Sequence, residues 1–146
     1  MEESRQIENL IYRYAELIDD GNLEEVAELF RNAEIVSTVH GMRREGFDEV
    51  LQMYRSSCRI YETTGTPLTK HLTTNVIIEL DEDGKTASAR SYYTVFQQTD
   101  ELPLQPIIAG HYHDTFHRVG GQWCFDTREM FVDLTGDLSH HLLFEL

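Results

Sequence analysis

The hydrophobic periodicity of this chain changes from helical to extended near its midpoint. Segments 7–22, 23–30 and 47–58 carry apolar residues at the i, i+3, i+4 spacing of amphipathic helices. After the loop-forming segment ETTGTP at 62–67, polar and apolar residues alternate with a period of two. Helices followed by consecutive antiparallel strands predict an α+β domain, in which a strongly curved, mainly antiparallel sheet wraps three N-terminal helices.

The period-two pattern predicts four long strands, and short connections between them indicate hairpin-like pairing. The predicted strands are KHLTTNVIIEL at 70–80, TASARSYYTVFQQ at 86–98, IIAGHYHDTFHRV at 107–119 and WCFDTREMFVDL at 123–134. A short strand is also predicted from Glu34 to Val39, and segment 41–46 is a turn or a second short strand. The tail TGDLSHHLLFEL fits either a loop with a short final turn or part of a subunit contact.

Composition limits the possible partners of the chain. A length of 146 residues fits one domain over residues 1–146. The net charge of −14, from 26 acidic and 12 basic residues, opposes binding to nucleic acid or to an anionic membrane. Two widely separated cysteines and an N-terminus without a signal-peptide pattern lead us to expect a cytoplasmic protein without disulfide bonds.

Two acidic residues end the first helix, where the helix dipole disfavours negative charge. Asp19 and Asp20 precede Gly21, which can take the left-handed conformation that stops a helix. Asn22 and Glu25 then predict a capping box for the second helix. The acidic pair is either part of a functional site or a pair of solvated turn residues. The periodicity of the helix does not choose between these interpretations.

Histidines on two predicted strands are the other candidates for chemistry. His71 opens the first long strand, where strict alternation places it on one face with Thr73, Asn75, Ile77 and Glu79. His111 and His113 share a face of the third long strand and could hold a metal with a third ligand. His140 or His141 would supply that ligand only if the tail folds back. We predict no metal and no cofactor, because nucleotide-binding and zinc motifs are absent.

Beyond this residue-level interpretation, the order of motifs resembles the SnoaL-like branch of the NTF2-like superfamily. The matching segments are IYRYAELIDDGNLEEVAELF, KHLTTNVIIELDEDGKTASARSYY and GHYHDTFHRVGGQWCFDTRE. The resemblance implies a cone-shaped α+β barrel. It covers dehydratases such as scytalone dehydratase, steroid delta-isomerases, cyclases and non-catalytic binding proteins, so it indicates the fold more strongly than one reaction.

The resemblance also assigns roles to residues. In the dehydratases of this branch, an Asp at the end of the first helix orients a His that acts as general acid and base. The matching positions are Asp19 and His71, and Tyr14 matches a tyrosine of the bile-acid dehydratase type. A second catalytic histidine of scytalone dehydratase has no counterpart on the next strand. The predicted substrate-binding residues are Tyr54, Tyr93, Tyr112, Phe116 and Arg128.

These inferences predict a cofactor-independent lyase (dehydratase) or isomerase. It would act on a hydrophobic, cyclic, oxygenated small molecule by His/Asp general acid–base catalysis. We expect a homodimer or homotrimer. The alternative is a non-catalytic binding domain or accessory subunit, like the β-subunits of ring-hydroxylating dioxygenases. Metal-dependent hydrolysis or oxidation at His111 and His113 is a third possibility.

Overall fold

The computed structural model describes residues 2–145, which form three helices and one six-stranded sheet. The helices are α1 (Glu3–Asp19), α2 (Leu23–Leu29) and α3 (Gly46–Ser57), and the strands are β1 (Glu34–Ser37), β2 (Met42–Glu45), β3 (Thr69–Leu80), β4 (Thr86–Gln97), β5 (Gln105–Val119) and β6 (Gln122–Thr135). In the described chain, no helix is both long enough and apolar enough to cross a bilayer.

The sheet has the strand order β2-β1-β6-β5-β4-β3, and its curved inner face is covered by helices. All neighbouring strands are antiparallel except β1 and β6, which run parallel. The sheet does not close, so β2 and β3 form its edges. Helix α1 contacts both β3 and β6 and therefore crosses the inner face. This architecture confirms the predicted α+β fold, with a mainly antiparallel sheet that is open.

The apolar stripe of α1 is the centre of the core. Its large buried side chains form one cluster with residues of α2, α3 and the inner face of the sheet. The buried residues of α1 are Ile7, Ile11, Tyr14, Ala15, Leu17 and Ile18. Across from them, Phe30, Phe116 and Phe125 are fully buried and pack ring against ring. The period-3.6 pattern therefore predicted the buried face of this helix.

A glycine turn fixes the exit of α1. Gly21 has φ +73°, and its N–H donates to the Ile18 carbonyl at 2.9 Å. The Asn22 N–H donates to the Leu17 carbonyl at 2.9 Å, which completes a Schellman motif. Asn22 also caps α2 by accepting from the Glu25 N–H at 3.3 Å. Only this half of the predicted capping box forms, because the Asn22 N–H is already engaged by α1.

A bulge in β3 overturns the strict alternation predicted for that strand. The pairing of β3 with β4 shifts between Thr74 and Ile77, and Asn75 has φ +55°. The extra residue reverses which side chains face the core. Val76 and Ile78 therefore pack against the core, while Ile77 is 45% exposed. His71 precedes the bulge, so Ile77 does not share its face as predicted.

We predict that Gly21→Ala lowers the free energy of unfolding by about 2 kcal/mol or more. The left-handed backbone costs an L-residue about 1–2 kcal/mol, and a Cβ at Gly21 would clash with the Gly65 carbonyl oxygen. The matched control is Gly84→Ala, where φ is +69° but no atom lies within 4 Å of the added Cβ. Urea denaturation of both variants measures the difference. Equal losses for the two variants would contradict the role of the Gly65 contact.

Candidate active site

A carboxylate–imidazole pair joins the end of α1 to the start of β3. The Asp19 Oδ1 lies 2.7 Å from the His71 Nδ1, and the Asp19 Oδ2 accepts the His71 backbone N–H at 2.8 Å. The Thr69 hydroxyl also donates to the Asp19 Oδ1, at 2.8 Å. The side chains of His71 and Asp19 are only 9% and 10% exposed. Asp20 is exposed to solvent, so the geometry distinguishes the two acids.

These contacts decide the protonation of the pair. Burial by itself would raise the pKa of the Asp19 carboxyl, but hydrogen bonds from His71 and Thr69 and the His71 charge lower it below its ordinary value. An ionised Asp19 only accepts hydrogen bonds, so the His71 Nδ1 carries a proton. In the neutral ring, the unprotonated nitrogen is then Nε2. His71 can therefore offer a base to a ligand while Asp19 holds its orientation.

A cavity of about 530 Å³, partly open to solvent, lies beside this pair. It is lined by residues of α1, α3 and the sheet and by residues that follow β6, and His71 is part of its wall. The lining is mainly apolar and aromatic, and it includes Ile18, Met53, Val95, Ile108, Met130 and Leu142. A concave, largely apolar space with a few polar groups is typical of small-molecule sites.

Four tyrosines form a second polar element of the cavity wall, at Tyr14, Tyr54, Tyr93 and Tyr112. The hydroxyls of Tyr14 and Tyr54 are 2.5 Å apart, and the rings of Tyr93 and Tyr112 stack with centroids 4.5 Å apart. The Tyr93 hydroxyl donates to the Phe131 carbonyl at 2.8 Å. Burial raises the pKa of all four phenols above the ordinary value. They therefore keep their protons at neutral pH and can act as hydrogen-bond donors.

Two of the residues predicted to bind substrate do not line the cavity. Arg128 is fully buried and forms a bidentate ion pair with Asp114, with both nitrogen–oxygen distances 2.9 Å. Its guanidinium lies 3.7 Å from the ring centroid of Tyr112 and 4.4 Å from that of Tyr14. Phe116 is fully buried against Phe125. Arg128 therefore supports two cavity tyrosines from behind, and Phe116 belongs to the core.

The histidines considered as metal ligands are divided between separate places. His111 pairs with Asp133 at 2.7 Å and stacks on Phe131. His111 lies on the strand face opposite Tyr112 and away from the cavity, whereas His141 lines the cavity. Among residues 2–145, no group of three or more histidine, cysteine or acidic side chains could hold a metal. The tail does fold back, but it does not bring His141 to His111.

Two chemically reactive side chains of the cavity, those of His141 and Cys58, were not among the predicted site residues. His141 reaches the cavity from the segment after β6, and Cys58 reaches it from the C-cap position directly after α3. Burial raises the pKa of the Cys58 thiol to about 11, so the thiol is protonated at neutral pH. The tail has no period that predicts its path. The Phe47-Val50-Leu51-Tyr54 stripe, extended by one turn, was the only signal for Cys58.

Comparison with known proteins identifies the family. The sequence model of the SnoaL-like domain family matches residues 1–129, and the chain belongs to this family. That range includes both Asp19 and His71. No curated protein matches the chain.

Solved structures share the fold along most of the chain. A structure described as a "Putative Scytalone Dehydratase" from Novosphingobium aromaticivorans DSM 12444 is 29% identical, with TM-score 0.72, covering 92% of this chain and 87% of that chain. An NTF2-like protein with a cystatin-like fold from the same species is 22% identical, with TM-score 0.73, covering 94% and 85%. ActVI-ORFA from Streptomyces coelicolor is 13% identical, with TM-score 0.71, covering 89% and 96%. The family contains isomerases, dehydratases and polyketide cyclases.

We predict that Asp19→Asn lowers the free energy of unfolding at pH 7 by about 2–4 kcal/mol. The carboxylate accepts three hydrogen bonds in a nearly buried place, and the amide places a donor against one of them. Because the folded pKa of Asp19 is lowered, its contribution is present above the unfolded value of about 3.9 and is lost as the pH falls through the lower folded value. Urea unfolding at pH 7, 5 and 3 should show the difference from wild type shrinking at pH 3.

The control for this prediction is Asp20→Asn. This residue lies in the same helix end but is exposed, so its substitution should change the free energy of unfolding by no more than about 0.5 kcal/mol. Losses of equal size at the two positions would mean that the Asp19 contacts do not stabilise the fold.

Proposed function

We propose that this protein is a cofactor-independent lyase (dehydratase) or isomerase that acts on a hydrophobic, cyclic, oxygenated small molecule. The observation that carries the proposal is the contact of Asp19 with His71, whose imidazole is part of the wall of a largely apolar cavity of about 530 Å³. A base oriented by a carboxylate is the arrangement required for general acid–base catalysis. The Novosphingobium protein, 29% identical, has a name that points to dehydration.

The first chemical step would be removal of a proton from a carbon next to a carbonyl group. The His71 Nε2 would take this proton, and the electrons of the broken C–H bond would move to the carbonyl oxygen to give an enolate. The Asp19 carboxylate, 2.7 Å from the Nδ1, stabilises the imidazolium that forms. A positioned base of this kind typically contributes about 10²–10⁴-fold to the rate.

The second step would return the proton and distinguish the two reaction types. In a dehydration, the imidazolium of His71 would protonate a hydroxyl on the β-carbon, water would leave, and the enolate electrons would form the C=C bond. In an isomerisation, the same proton would return to another carbon of the conjugated system. Neither route needs an external oxidant or reductant, and His71 ends in its starting state.

The buried tyrosines are suited to stabilise the enolate. Tyr14 lines the cavity and shares a short hydrogen bond with Tyr54, and burial raises the pKa of both phenols. A neutral phenol can strengthen its hydrogen bond as negative charge develops on the oxygen. Arg128 lies behind Tyr14 and Tyr112. Its positive charge lowers the pKa of both phenols and so opposes part of the rise that burial causes.

The second candidate function is a non-catalytic binding or accessory subunit. It is favoured by apolar side chains on the outer surface of the sheet, where Tyr92 is 58% exposed and Leu134 is 70% exposed. With His111 and Thr74 these residues surround a shallow depression away from the cavity. The mass of the native protein separates the two candidates. A homodimer or homotrimer alone favours the enzyme, whereas co-purification with a larger iron–sulfur subunit favours the accessory role.

Exchange of α-protons tests the proposed chemistry directly. We predict that the protein accelerates exchange of the protons next to the carbonyl of 1-tetralone in D2O, as followed by ¹H NMR. His71→Gln should lower the enzyme-dependent rate by about 10²–10⁴-fold. Tyr14→Phe should lower it by about 10²–10³-fold.

His113→Gln is the matched control, because His113 is exposed on the face of β5 opposite to that of the cavity residue Tyr112. Its exchange rate should equal that of the wild type. The proposal is wrong if neither 1-tetralone nor hydroxylated cyclic ketones exchange faster than in buffer, or if His71→Gln leaves the rate unchanged.

A further inference from the structure

The residues that follow β6 return to the cavity and form one of its walls. We refer to residues 137–145 as the C-terminal strap. The Arg59 N–H donates to the His141 carbonyl at 2.8 Å, and the Leu143 N–H donates to the Ser57 carbonyl at 2.9 Å. The His140 carbonyl accepts from the Gln97 amide at 3.0 Å and from the Tyr61 hydroxyl at 2.5 Å. The strap is therefore anchored near the end of α3 and to β4, and its Leu138, Leu142 and Phe144 line the cavity.

The strap places a second imidazole in the cavity wall. His141 lines the same cavity as His71 and is 9% exposed. Its Nδ1 is enclosed and has no hydrogen-bond partner within residues 2–145. An unmatched buried nitrogen destabilises the fold, and such a group in a native structure requires an explanation. Its position beside the Asp19–His71 pair suggests one.

The surroundings of His141 decide its protonation. Burial lowers the pKa of His141 to about 4, with a further lowering by His71 that outweighs the opposing effect of Asp19. The ring is therefore neutral at pH 7 and carries one proton. A proton on the Nδ1 would be a buried donor without an acceptor. With the proton on the Nε2, the Nδ1 carries only an unpaired acceptor lone pair, so this tautomer is favoured. The Nε2–H is then the donor that remains for a molecule in the cavity.

We propose that His141 is a further catalytic residue, whose Nε2–H donates a hydrogen bond to a carbonyl oxygen of the bound molecule. This role rests on the proposed lyase or isomerase function, which it deepens by requiring a ketone or related carbonyl compound. His71 moves the proton. His141 stays neutral and stabilises the negative charge that develops on the oxygen, because a neutral imidazole is too weak an acid to give up its N–H.

Two substitutions at one position test this role. His141→Phe keeps a ring of similar size and removes both nitrogens, whereas the His141→Gln amide can place an N–H near the position of the Nε2. With 1-tetralone carrying ¹³C at the carbonyl, the wild type should shift the bound carbonyl signal downfield. His141→Phe should lose that shift and lower the α-proton exchange rate by about 10²-fold. His141→Gln should keep the shift and recover most of the rate.

A ligand-free measurement keeps the test independent of the probe and of any folding defect in the variants. In the ¹⁵N NMR spectrum of the wild-type protein at pH 7, the His141 ring should carry its proton on the Nε2 and none on the Nδ1. A proton on the Nδ1, or a doubly protonated ring, overturns the proposal. So does an absence of binding by both 1-tetralone and hydroxylated cyclic ketones at millimolar concentration, because it removes the carbonyl ligand class.

The outcomes separate this inference from the proposed function. If the wild type exchanges α-protons and His141→Phe leaves both the rate and the carbonyl shift unchanged, the role of His141 is wrong and the proposed function stands. If the carbonyl shift depends on His141 but no exchange occurs, the hydrogen bond stands as a binding contact. In that case the lyase or isomerase function, and the catalytic role with it, is wrong.

Discussion

The Asp19 carboxylate accepts three hydrogen bonds from the first residues of β3, and these bonds connect the central helix to an edge strand of the sheet. A carboxylate at the C-terminal end of a helix faces the negative pole of the helix dipole. Here the unfavourable position is offset by Thr69 and by both N–H groups of His71. The same contacts that stabilise the junction of α1 and β3 also orient the imidazole toward the cavity, so structure and chemistry depend on one side chain.

A buried ion pair, Arg128 with Asp114, lies behind two tyrosines of the cavity wall. Arg128 and Asp114 are both fully buried, and the guanidinium lies over the ring of Tyr112, 3.7 Å from its centroid. A buried ion pair contributes little net stability compared with apolar residues of the same size, since its desolvation offsets the attraction. In this protein the ion pair positions neighbouring side chains. It fixes the rings of Tyr14 and Tyr112 from behind, where neither Arg128 nor Asp114 touches the cavity itself.

The sequence predicts most of the fold because its elements obey simple periods. The stripe of α1 and the alternation in β4 and β5 translate directly into buried faces. In β3 the alternation does not predict the buried face beyond the bulge at Asn75. A residue with positive φ inside a strand leaves no signal in the hydrophobic pattern. The resemblance to the SnoaL-like family supplied the pairing of Asp19 with His71. Periodicity alone could not choose between Asp19 and Asp20, and the structure now places only the former against the histidine.

The part of the site that could not be predicted from the sequence is the C-terminal strap, whose backbone is irregular. His141 belongs to a segment anchored by carbonyl and amide contacts to Arg59 and Gln97, which are distant in the chain and leave no pattern. The sequence pattern also does not predict which residues on a buried strand face reach the cavity and which lie in the core. Phe116 and Tyr112 share one face of β5, yet only Tyr112 reaches the cavity, because Phe116 is fully buried in the core against Phe125.

The coupling of Asp19 to His71 is tested most directly by ¹⁵N-resolved NMR of the His71 ring near pH 7, in wild type and in Asp19→Ala. The account predicts a proton on the Nδ1 of the wild type, with the downfield signal of a hydrogen bond to a carboxylate, and loss of that signal in the variant. A wild-type ring with an unprotonated Nδ1, or a ring whose signals are the same in both proteins, would contradict the account.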